Sequence, residues 1–484
     1  MIKQNSHQES SEYKNYQKAR ITHWDDIAGK YVKERGFSHY YHERLEHVLK
    51  FLVPPGQKVI EIGCGNGDLL ASLKPSYGVG VDFSSEAIKL AKDRHLDLNF
   101  IQADAHELEL ENQFDFVILS DVVNEFWDVQ SVFQKILAVT TPRSRIIINF
   151  YNRLWELPLT AVRKLRLVKP SLYQNWLTVE DITGLLSLAD FEVISCREEI
   201  MWPLRTPVID YLLNRFLVKV WPFRLFALTH FIIAKPLVAD LGVKELPKVS
   251  VIIPARNESG NIKRIVESVP EMGRETELIF VEGGSTDDTY GEIKKVIADN
   301  SHRPARLLRQ TGKGKGDAVR LGFQHARGDI LMILDADLTV PPEDLPRFYD
   351  ALYKGKAEFV NGVRLVYPME KEAMRFLNLL GNKFFSLVFS WLLGQPIKDT
   401  LCGTKVLWKT DYERIAANRS YFGDFDPFGD FDLLFGAAKL NLKIVEVPIR
   451  YRERIYGTTN ISRWKHGWLL IRMVFFALRR IKFI

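Results

Sequence analysis

Cysteine is scarce in this chain. Three occur among its 484 residues, Cys64, Cys196 and Cys402, and their positions show neither paired spacing nor metal-ligand spacing. The sequence therefore gives no sign of a disulfide framework, and we expect a reduced cytoplasmic environment.

Long hydrophobic runs are missing as well. Residues 1–20 lack an apolar core, which predicts a frayed polar end and no signal peptide. The longest charge-free apolar stretch in the C-terminal half, 384–397, is shorter than the roughly 20 residues that a spanning helix needs. The sequence thus predicts no transmembrane segment.

Acidic residues are under-represented in the second part of the chain. Residues 1–200 carry 23 basic and 28 acidic side chains, whereas residues 201–484 carry 43 and 32, which together give the overall +6. The second part should therefore attract anions. At roughly 100 to 200 residues per domain, the length predicts two or three domains, and we do not expect nucleic acid among the partners.

A glycine-rich turn organises the N-terminal part. The apolar segment 58–62 predicts a strand, and EIGCGNG, with Gly63, Gly65 and Gly67, turns from it into a helix at Asp68. Such a turn lets the backbone pass close to a bound nucleoside. The next predicted strand, 78–81, ends at Asp82, where a carboxylate can accept hydrogen bonds from both ribose hydroxyls. This pattern alone leaves NAD and S-adenosylmethionine open as ligands.

Two later strands favour S-adenosylmethionine. Residues 99–102 lead into Asp104, and residues 114–119 lead into SDVVNE. From about His23 to Arg197 the chain resembles class I S-adenosylmethionine-dependent methyltransferases, and the alternative is a nucleotide-fold domain with an empty site. The resemblance implies S-adenosylmethionine as cofactor, with Asp82 on ribose and Asp104 facing adenine. The expected cofactor-binding residues are Glu61, Gly63, Gly65, Gly67, Asp82 and Asp104, and candidates to line the acceptor pocket are Tyr41, His42, Asn124 and Tyr151.

A change of character follows at Trp202. Residues 202–237 are aromatic and apolar and carry five basic side chains against one acidic one. They predict either a helical connector packed between domains or a segment that rests on a membrane surface, since cations interrupt every apolar run. We set the boundaries at 1–200 for the first domain and 201–247 for a hydrophobic basic connector.

Paired carboxylates mark the C-terminal part. The apolar run 330–334 predicts a buried strand that ends at Asp335-Ala-Asp337. Ligands of open α/β sheets bind beyond the carboxyl ends of strands, and Mg²⁺ or Mn²⁺ prefers such oxygen donors together with phosphate oxygens. Upstream, GKGKG offers small residues and the cations Lys313 and Lys315 before a helix that is predicted to start near Asp317, an arrangement that favours phosphate.

Six motifs in order, SVIIPARNE, VEGGSTDDT, GKGKGDAVRLGF, GDILMILDADLT, DTLCGTKV and FGDFDLLFGA, resemble family 2 glycosyltransferases of the GT-A fold, over about residues 248–464. The nearest branch is the polyprenyl-phosphate sugar synthases. The resemblance implies a nucleotide-sugar donor and a divalent metal on Asp335 and Asp337. Many relatives carry Asp-Asp where this chain has Glu282-Gly283. Residues expected to bind the nucleotide sugar are Pro254, Arg256, Glu258, Glu282, Lys313, Lys315 and Asp335.

The acceptor is expected to be a polyprenyl phosphate. Arg364 is a candidate phosphate clamp by resemblance, and Arg450 and Arg452 are further cations that could hold a phosphate. The alternative is a saccharide or protein hydroxyl, which needs a general base, and Asp432 is the position we choose. A second alternative is a membrane-bound scaffold with one or both sites inactive.

The last segment predicts an amphipathic helix over 465–484. Leu470, Met473, Ala477 and Ile481 fall on one stripe, which should face either lipid or the domain core. In sum, we expect an α/β protein with two Rossmann-like domains, a methyltransferase sheet followed by a GT-A domain. We expect it to act in the cytoplasm as a bifunctional transferase, peripheral on the cytoplasmic face of a membrane.

Overall fold

The computed structural model describes residues 11–30, 39–164, 172–237, 245–364, 366–367, 376–422, 429–452, 454, 456 and 463–484. Two compact units divide the chain near residue 238. Each unit contains one seven-stranded mixed sheet. The predicted pair of α/β domains is therefore confirmed.

The first unit has its strands in the order β3-β2-β1-β4-β5-β7-β6. The strands from β3 to β5 are parallel, and β7 runs antiparallel to both β5 and β6. The apolar runs in β1, β4 and β5 are buried, as expected of central strands covered on both faces. The strands are β1 (Lys58–Ile62), β2 (Tyr77–Asp82), β3 (Asn99–Gln102), β4 (Phe114–Ser120), β5 (Thr140–Tyr151), β6 (Phe191–Glu199) and β7 (Thr229–Pro236).

Side-chain caps define where several helices of this unit start. Ser84 accepts a hydrogen bond from the backbone N–H of Ala87, and Thr178 and Asp181 form a reciprocal capping box. The helices are α1 (Ser11–Lys30), α2 (His39–Leu52), α3 (Asp68–Ser72), α4 (Ser85–Arg94), α5 (Val129–Ala138), α6 (Glu156–Lys164), α7 (Val179–Leu188) and α8 (Ile209–Arg215).

Two expectations for this unit are wrong. The frayed end predicted for residues 1–20 is wrong from Ser11 onward, where a helix begins because Tyr13 and Gln17 find partners far away in sequence; residues 1–10 lie outside the described residues. The predicted connector over 201–247 contains Thr229–Pro236, which is a strand of the sheet. Its apolar side chains fill the position between β5 and β6, so the unit continues to about residue 238.

The second unit has its strands in the order β10-β9-β8-β11-β13-β12-β14. The strands from β10 to β11 are parallel, while β13 runs antiparallel to β11 and β12. The carboxyl ends of β8, β9 and β11 thus meet at one edge. The strands are β8 (Val249–Ala255), β9 (Thr276–Glu282), β10 (Ala305–Arg309), β11 (Ile330–Ile333), β12 (Phe359–Val363), β13 (Lys405–Trp408) and β14 (Ile444–Pro448).

Helices cover both faces of the second sheet and bury two apolar clusters. A π-helical turn, Leu478–Lys482, follows the last helix. The helices are α9 (Ile262–Ser268), α10 (Thr289–Asp299), α11 (Lys315–His325), α12 (Leu345–Tyr353), α13 (Phe376–Leu393), α14 (Lys409–Ala417), α15 (Arg419–Phe422), α16 (Asp430–Lys439) and α17 (Arg463–Ala477).

The C-terminal helix belongs to the second unit. Leu470, Met473, Ala477 and Ile481 are all buried in the same apolar cluster as α13 and α16. The sequence left two surfaces open for this stripe, lipid and the domain core, and in the structure it faces the domain core. Residues 465–484 are therefore not a separate tail. None of the described helices is long and apolar enough to cross a membrane.

Candidate functional sites

The paired carboxylates lie just beyond β11, where the sequence places them. The ammonium Nζ of Lys315, the first residue of α11, is 2.7 Å from Oδ1 of Asp335. Burial opposes ionisation of Asp335, but Lys315 outweighs it and lowers the pKa of that carboxyl. Lys315 in turn has a raised pKa because Asp335 and Asp430 outweigh its burial. Both groups are therefore charged at neutral pH.

Arg454 joins the second carboxylate to the nucleoside turn. Its Nη2 donates to Oδ2 of Asp337 at 2.6 Å, and its Nη1 lies 3.4 Å from Oε1 of Glu258. Burial raises the pKa of Glu258 to about 7, although Arg454 and Asn261 work in the opposite direction. The hydroxyl of Thr339 donates to the other oxygen of Asp337 at 2.8 Å. The sequence alone does not single out Arg454 for this contact, because its partners Asp337 and Glu258 are far away in sequence.

The turns after β8 and β9 are tied together. The side-chain oxygen of Asn257, a residue with φ of 59°, accepts a hydrogen bond from the backbone N–H of Thr286 at 2.7 Å. Glu282 is buried and accepts from the backbone N–H of Ser285. Arg256 is exposed and Pro254 is partly buried at the end of β8. This linked pair of turns provides fixed polar groups at the edge where a nucleoside is expected.

Gly403 permits the closest approach to the carboxylates. A Cβ added at this position would lie 1.9 Å from Oδ2 of Asp335 and 2.4 Å from Nζ of Lys315. Real Cβ atoms do not approach polar atoms so closely, so any other residue here would require the side chains of Asp335 and Lys315, or the backbone, to shift. The sequence motif TLCGTKV contains this glycine, but the reason for it comes from the structure.

The candidate acceptor groups differ in their availability. Arg364 makes a two-pronged contact with buried Asp399, at 2.7 and 2.8 Å, so the expectation of a phosphate clamp is not supported by this geometry. Asp432, the candidate base, accepts from Nε of Arg419 at 2.9 Å. Lys405 is fully buried beside Asp430 at 3.1 Å.

Three of the predicted phosphate-binding cations, Arg450, Arg452 and Lys313, are exposed. Arg450 lies over the ring of Tyr367 at 5.3 Å, and Arg452 is 3.9 Å from Glu343, with both partners about half exposed. The backbone N–H of Arg452 donates to the carbonyl of Thr339 at 2.9 Å, which holds the backbone at Arg452 beside the metal motif. Lys313 is exposed in the loop before α11.

The donor set fits a divalent cation that is shared with a substrate. Among the described residues there is no group of three or more His, Cys, Asp or Glu side chains that could hold a metal ion by themselves. Asp335 and Asp337 supply two carboxylates, and Mg²⁺ commonly takes its remaining ligands from phosphate oxygens and water. Both carboxylates are engaged by cations here, so loading a metal requires Lys315 and Arg454 to move toward another anion.

The glycine turn of the first unit has the backbone that the sequence predicts. Gly63, Gly65 and Gly67 have φ of 75°, 51° and 77°, a region that favours glycine. The N–H of Gly65 donates to Oδ2 of Asp82 at 2.9 Å. Burial raises the pKa of Asp82, and it raises that of Glu61 to about 8. Oε2 of Glu61 is buried and has no hydrogen-bond partner among the described residues, which fits a ligand that brings a donor.

Helix α1 closes over the predicted adenine site. The side chains of Gln17 and Tyr13 donate to Oδ2 of Asp104 at 2.7 and 3.1 Å, and Nδ1 of His106 lies 2.6 Å from its Oδ1. Burial alone would raise the pKa of Asp104, but the hydrogen bonds from His106 and Gln17 lower it to about 2. Asp82 and Asp104 both line a cleft that α1 covers. The residues of this cleft therefore fit a nucleoside cofactor.

A buried polar cluster beyond β4 was missed by sequence reasoning. Asp121, with φ of 55°, accepts from the hydroxyl of Tyr41 at 2.9 Å and from Nδ2 of Asn149 at 2.7 Å. The ring of Tyr151 stacks on Tyr41. Oδ1 of Asn149 is buried without a hydrogen-bond partner among the described residues. Burial raises the pKa of Asp121 to about 7, against its two hydrogen bonds.

This cluster contains two of the four residues predicted for the acceptor pocket, Tyr41 and Tyr151. Of the two others, Asn124 lies outside the cluster, with its Nδ2 tied to the carbonyl of Asn175 at 2.7 Å, whereas His42 is exposed and its ring lies edge-on against Tyr41 at 5.4 Å. The one available signal in the sequence is the polar Ser120-Asp121 pair that follows an apolar strand, and this signal does not extend to Asn149. Asn149 is found only through the pairing of β4 with β5, which places it beside Ser120.

Comparison with known proteins finds a family model that matches part of each unit. A family model described as "Methyltransferase domain" matches residues 54–190, and one described as "Glycosyl transferase family 2" matches residues 250–407. Dolichol-phosphate mannosyltransferase of Pyrococcus furiosus is 30% identical over 221 residues, which cover 44% of this chain and 59% of that protein. Low-salt glycan biosynthesis hexosyltransferase of Haloferax volcanii is 27% identical, covering 47% of this chain and 53% of that protein.

The chain thus spans between half and three fifths of the length of these two curated relatives. A solved structure of glucosyl-3-phosphoglycerate synthase from Mycobacterium tuberculosis, in complex with Mn²⁺, uridine diphosphate and glucosyl-3-phosphoglycerate, is 21% identical. The aligned region covers 49% of this chain and 80% of the solved chain, with a TM-score of 0.37. This similarity supports no conclusion about ligands here. Residues 54–190 are therefore similar to methyltransferase domains, and residues 250–407 are similar to family 2 glycosyl transferases.

Proposed function

We propose that the C-terminal domain transfers a sugar from a nucleotide-sugar donor to a polyprenyl phosphate. The observation that carries the proposal is the pairing of both strand-end carboxylates with cations, Asp335 with Lys315 and Asp337 with Arg454. Such a set can exchange partners with a metal-bound diphosphate, because carboxylates can take the metal while the cations take phosphate oxygens. The two curated relatives, a dolichol-phosphate mannosyltransferase and a hexosyltransferase, support the same class of reaction.

Donor binding depends on three parts of this domain. The linked turns after β8 and β9 would hold the nucleoside, with Glu258 and Glu282 as polar contacts. Lys313, Lys315 and the N-terminus of α11 would hold the diphosphate. Asp335 and Asp337 would hold Mg²⁺ or Mn²⁺, which when bound would neutralise the charge on the departing diphosphate.

A phosphate acceptor suits the remaining side chains better than a hydroxyl. A phosphate monoester has its second pKa near ~6, so it is already anionic at neutral pH and needs cations more than a base. Arg450 and Arg452 are exposed cations, and the backbone of Arg452 is hydrogen-bonded to Thr339 beside the metal motif. Asp432, which a hydroxyl acceptor would need as base, already accepts from Arg419.

We also propose that the N-terminal domain transfers a methyl group from S-adenosylmethionine to a second acceptor. S-adenosylmethionine would supply the methyl group on a sulfonium, which is already a good leaving group, so this domain mainly has to align the acceptor. Asp82 and Glu61 would accept from ribose and Asp104 would face adenine. The cluster of Tyr41, Asp121 and Asn149 offers a polar floor for an acceptor. The protein as a whole would work at the cytoplasmic face of a membrane, where a polyprenyl phosphate is accessible.

The experiment has two steps. First, a panel of nucleotide sugars is screened for thermal stabilisation of the full chain with and without Mg²⁺ or Mn²⁺. Second, the donor that stabilises it is tested for sugar transfer to a short-chain polyprenyl phosphate in detergent, beside the free alcohol and simple saccharides. Transfer to a hydroxyl with none to the phosphate would favour the alternative with Asp432 as base. No stabilisation and no turnover with any donor would favour a scaffold.

A further inference from the structure

A dense group of exposed apolar side chains lies between residues 204 and 226 of the N-terminal unit. Among the described residues, 25 large hydrophobic side chains are exposed, and ten of them fall in these 23 positions. Trp221 is 71% exposed, Val208 68% and Phe226 58%. We call this group the aromatic face; it comprises Leu204, Val208, Ile209, Tyr211, Leu212, Val220, Trp221, Phe223, Leu225 and Phe226.

The backbone beneath the aromatic face is fixed by buried polar contacts. Asn214 is buried, and its side-chain oxygen accepts from the backbone N–H groups of Met201 and Trp202 at 2.7 and 2.8 Å. Lys219 is buried in an ion pair with Glu199. These contacts fix the backbone of the segment in a conformation that leaves its apolar side chains exposed. Their exposure is therefore a property of the fold.

The other end of the face is fixed in the same way. Nδ2 of Asn152 donates to the carbonyls of Leu225 and Ala227 at 3.1 and 3.0 Å. The indole N–H of Trp155 donates to the carbonyl of Phe226 at 3.1 Å. The exposed Leu154 flanks this second contact and extends the apolar area.

The charge of the segment points to an anionic occupant. Between residues 204 and 226 there are four basic side chains and one acidic one, Asp210. Arg205 and Arg224 are exposed, at 73% and 43%, and their nearest carboxylates are 3.8 and 3.9 Å away. Arg215 lies over the ring of Tyr211 at 5.3 Å. Tryptophan, phenylalanine and arginine interleaved on one surface are typical of segments that lie in the headgroup region of a bilayer.

We propose that the aromatic face docks the methyltransferase unit onto an anionic lipid surface. Trp221, Phe223 and Phe226 enter the boundary between headgroups and acyl chains, and Arg205 and Arg224 contact lipid phosphates. The inference deepens the membrane location proposed above and assigns it to the N-terminal unit, in place of the C-terminal helix, whose apolar stripe is buried in its own domain. It does not depend on which sugar acceptor is used.

The test is vesicle co-sedimentation of the full chain. Vesicles of phosphatidylcholine are compared with vesicles that also contain phosphatidylglycerol, at low and high salt. We expect binding to the anionic vesicles that weakens with salt. The double variant Trp221→Ser with Phe223→Ser should lose about tenfold or more in partition coefficient, because it removes two large apolar side chains from the contact. Arg205→Glu with Arg224→Glu should remove the preference for anionic lipid.

Matched controls separate this face from general stickiness. Leu96→Ser and Leu188→Ser remove large side chains of the same unit that are 90% and 65% exposed, and they should bind vesicles like the wild type. Equal binding by the Trp221 and Phe223 variant would overturn the proposal. The proposal would also be overturned if the wild-type protein did not bind vesicles and instead self-associated through the aromatic face. In that case the Trp221 and Phe223 variant would abolish the self-association.

The proposed function is checked in the same preparations. Sugar transfer to a short-chain acceptor in detergent should be the same in the wild type and in the Trp221 and Phe223 variant, since detergent removes the need for docking. Vesicle binding without any sugar transfer by the wild type would refute the proposed activity and leave the lipid-docking face intact.

Discussion

The ammonium group of Lys315 lies 2.7 Å from Oδ1 of Asp335. Lys315 is the first residue of α11 and follows the glycine-rich loop, and Asp335 lies just beyond the buried strand β11. The backbone of Gly403 passes close to both side chains. This small group brings together three separate sequence motifs. The predictions below begin with it.

Neutralising the metal carboxylates should abolish sugar transfer. Asp335→Asn or Asp337→Asn removes one of two charged oxygen ligands, and we expect a loss of about a hundredfold or more. Binding of S-adenosylmethionine, measured by calorimetry, should be unchanged in both variants. Full transferase activity in either variant, or in the presence of EDTA, would contradict the assignment of these residues.

A single methyl group at Gly403 should have a similar effect. The Cβ of Gly403→Ala would lie 1.9 Å from Asp335, so either the carboxylate or the backbone must shift. We expect a drop of at least about tenfold in transfer, since a displacement of an ångström at a catalytic group can cost that much. Gly381→Ala is the control, because its Cβ meets nothing within 4 Å and the site is helical. Comparable activity in the two variants would show that the contact is not needed.

The cations and the candidate base should differ in their effect on the acceptor. Arg450→Ala or Arg452→Ala should raise KM for polyprenyl phosphate severely, because they remove charge that would hold a phosphate. Asp432→Asn should slow transfer only modestly. Arg347→Ala is the matched control, an exposed arginine of α12 that pairs with Asp344. The reverse ranking, with Asp432→Asn most damaging, would indicate a hydroxyl acceptor.

The glycine turn of the first unit can be tested without a methyl acceptor. Gly65→Val should prevent binding of S-adenosylmethionine, because a β-branched residue is strained on a backbone with φ of 51° and its side chain would extend into the open space where the cofactor is expected. Asp82→Ala should do the same by removing the ribose contact. Gly184→Ala, where an added Cβ meets nothing within 4 Å, is the control. Calorimetry gives the affinity, and binding of NAD in place of S-adenosylmethionine by the wild type would show the reading to be wrong.

Asp121 should make the N-terminal unit less stable as pH rises. Its pKa is raised from 3.8 to about 7 by burial, so the folded state holds a proton that the unfolded chain loses earlier. The stabilisation is complete below pH 3.8 and is lost as pH rises to about 7, with an upper limit of about 4 kcal/mol. Asp121→Asn should flatten this dependence. The N-terminal transition is identified as the one whose Tm rises when S-adenosylmethionine is added, and its Tm is measured between pH 5 and 8. The same dependence of Tm on pH in the wild type and in Asp121→Asn would contradict the prediction.

The sequence by itself determined the local elements and the motifs at their ends. The predicted strand at 99–102 has the same bounds as β3, and Asp335 and Asp337 follow β11 as expected. This is possible because a buried strand reads as an apolar run, and glycine and aspartate mark the turns that follow it. The order of the motifs also carried the resemblance to two families.

Only the tertiary structure decided which charged side chains are available. Asp399 holds Arg364 and Arg419 holds Asp432, although each pair is separated in sequence and either arginine could have faced a substrate. The same is true of β7, which enters the first sheet between β5 and β6, and of Gln17, which reaches Asp104. Such pairings depend on how distant strands and helices pack together. Periodicity and turn chemistry do not predict them, because both act over only a few residues.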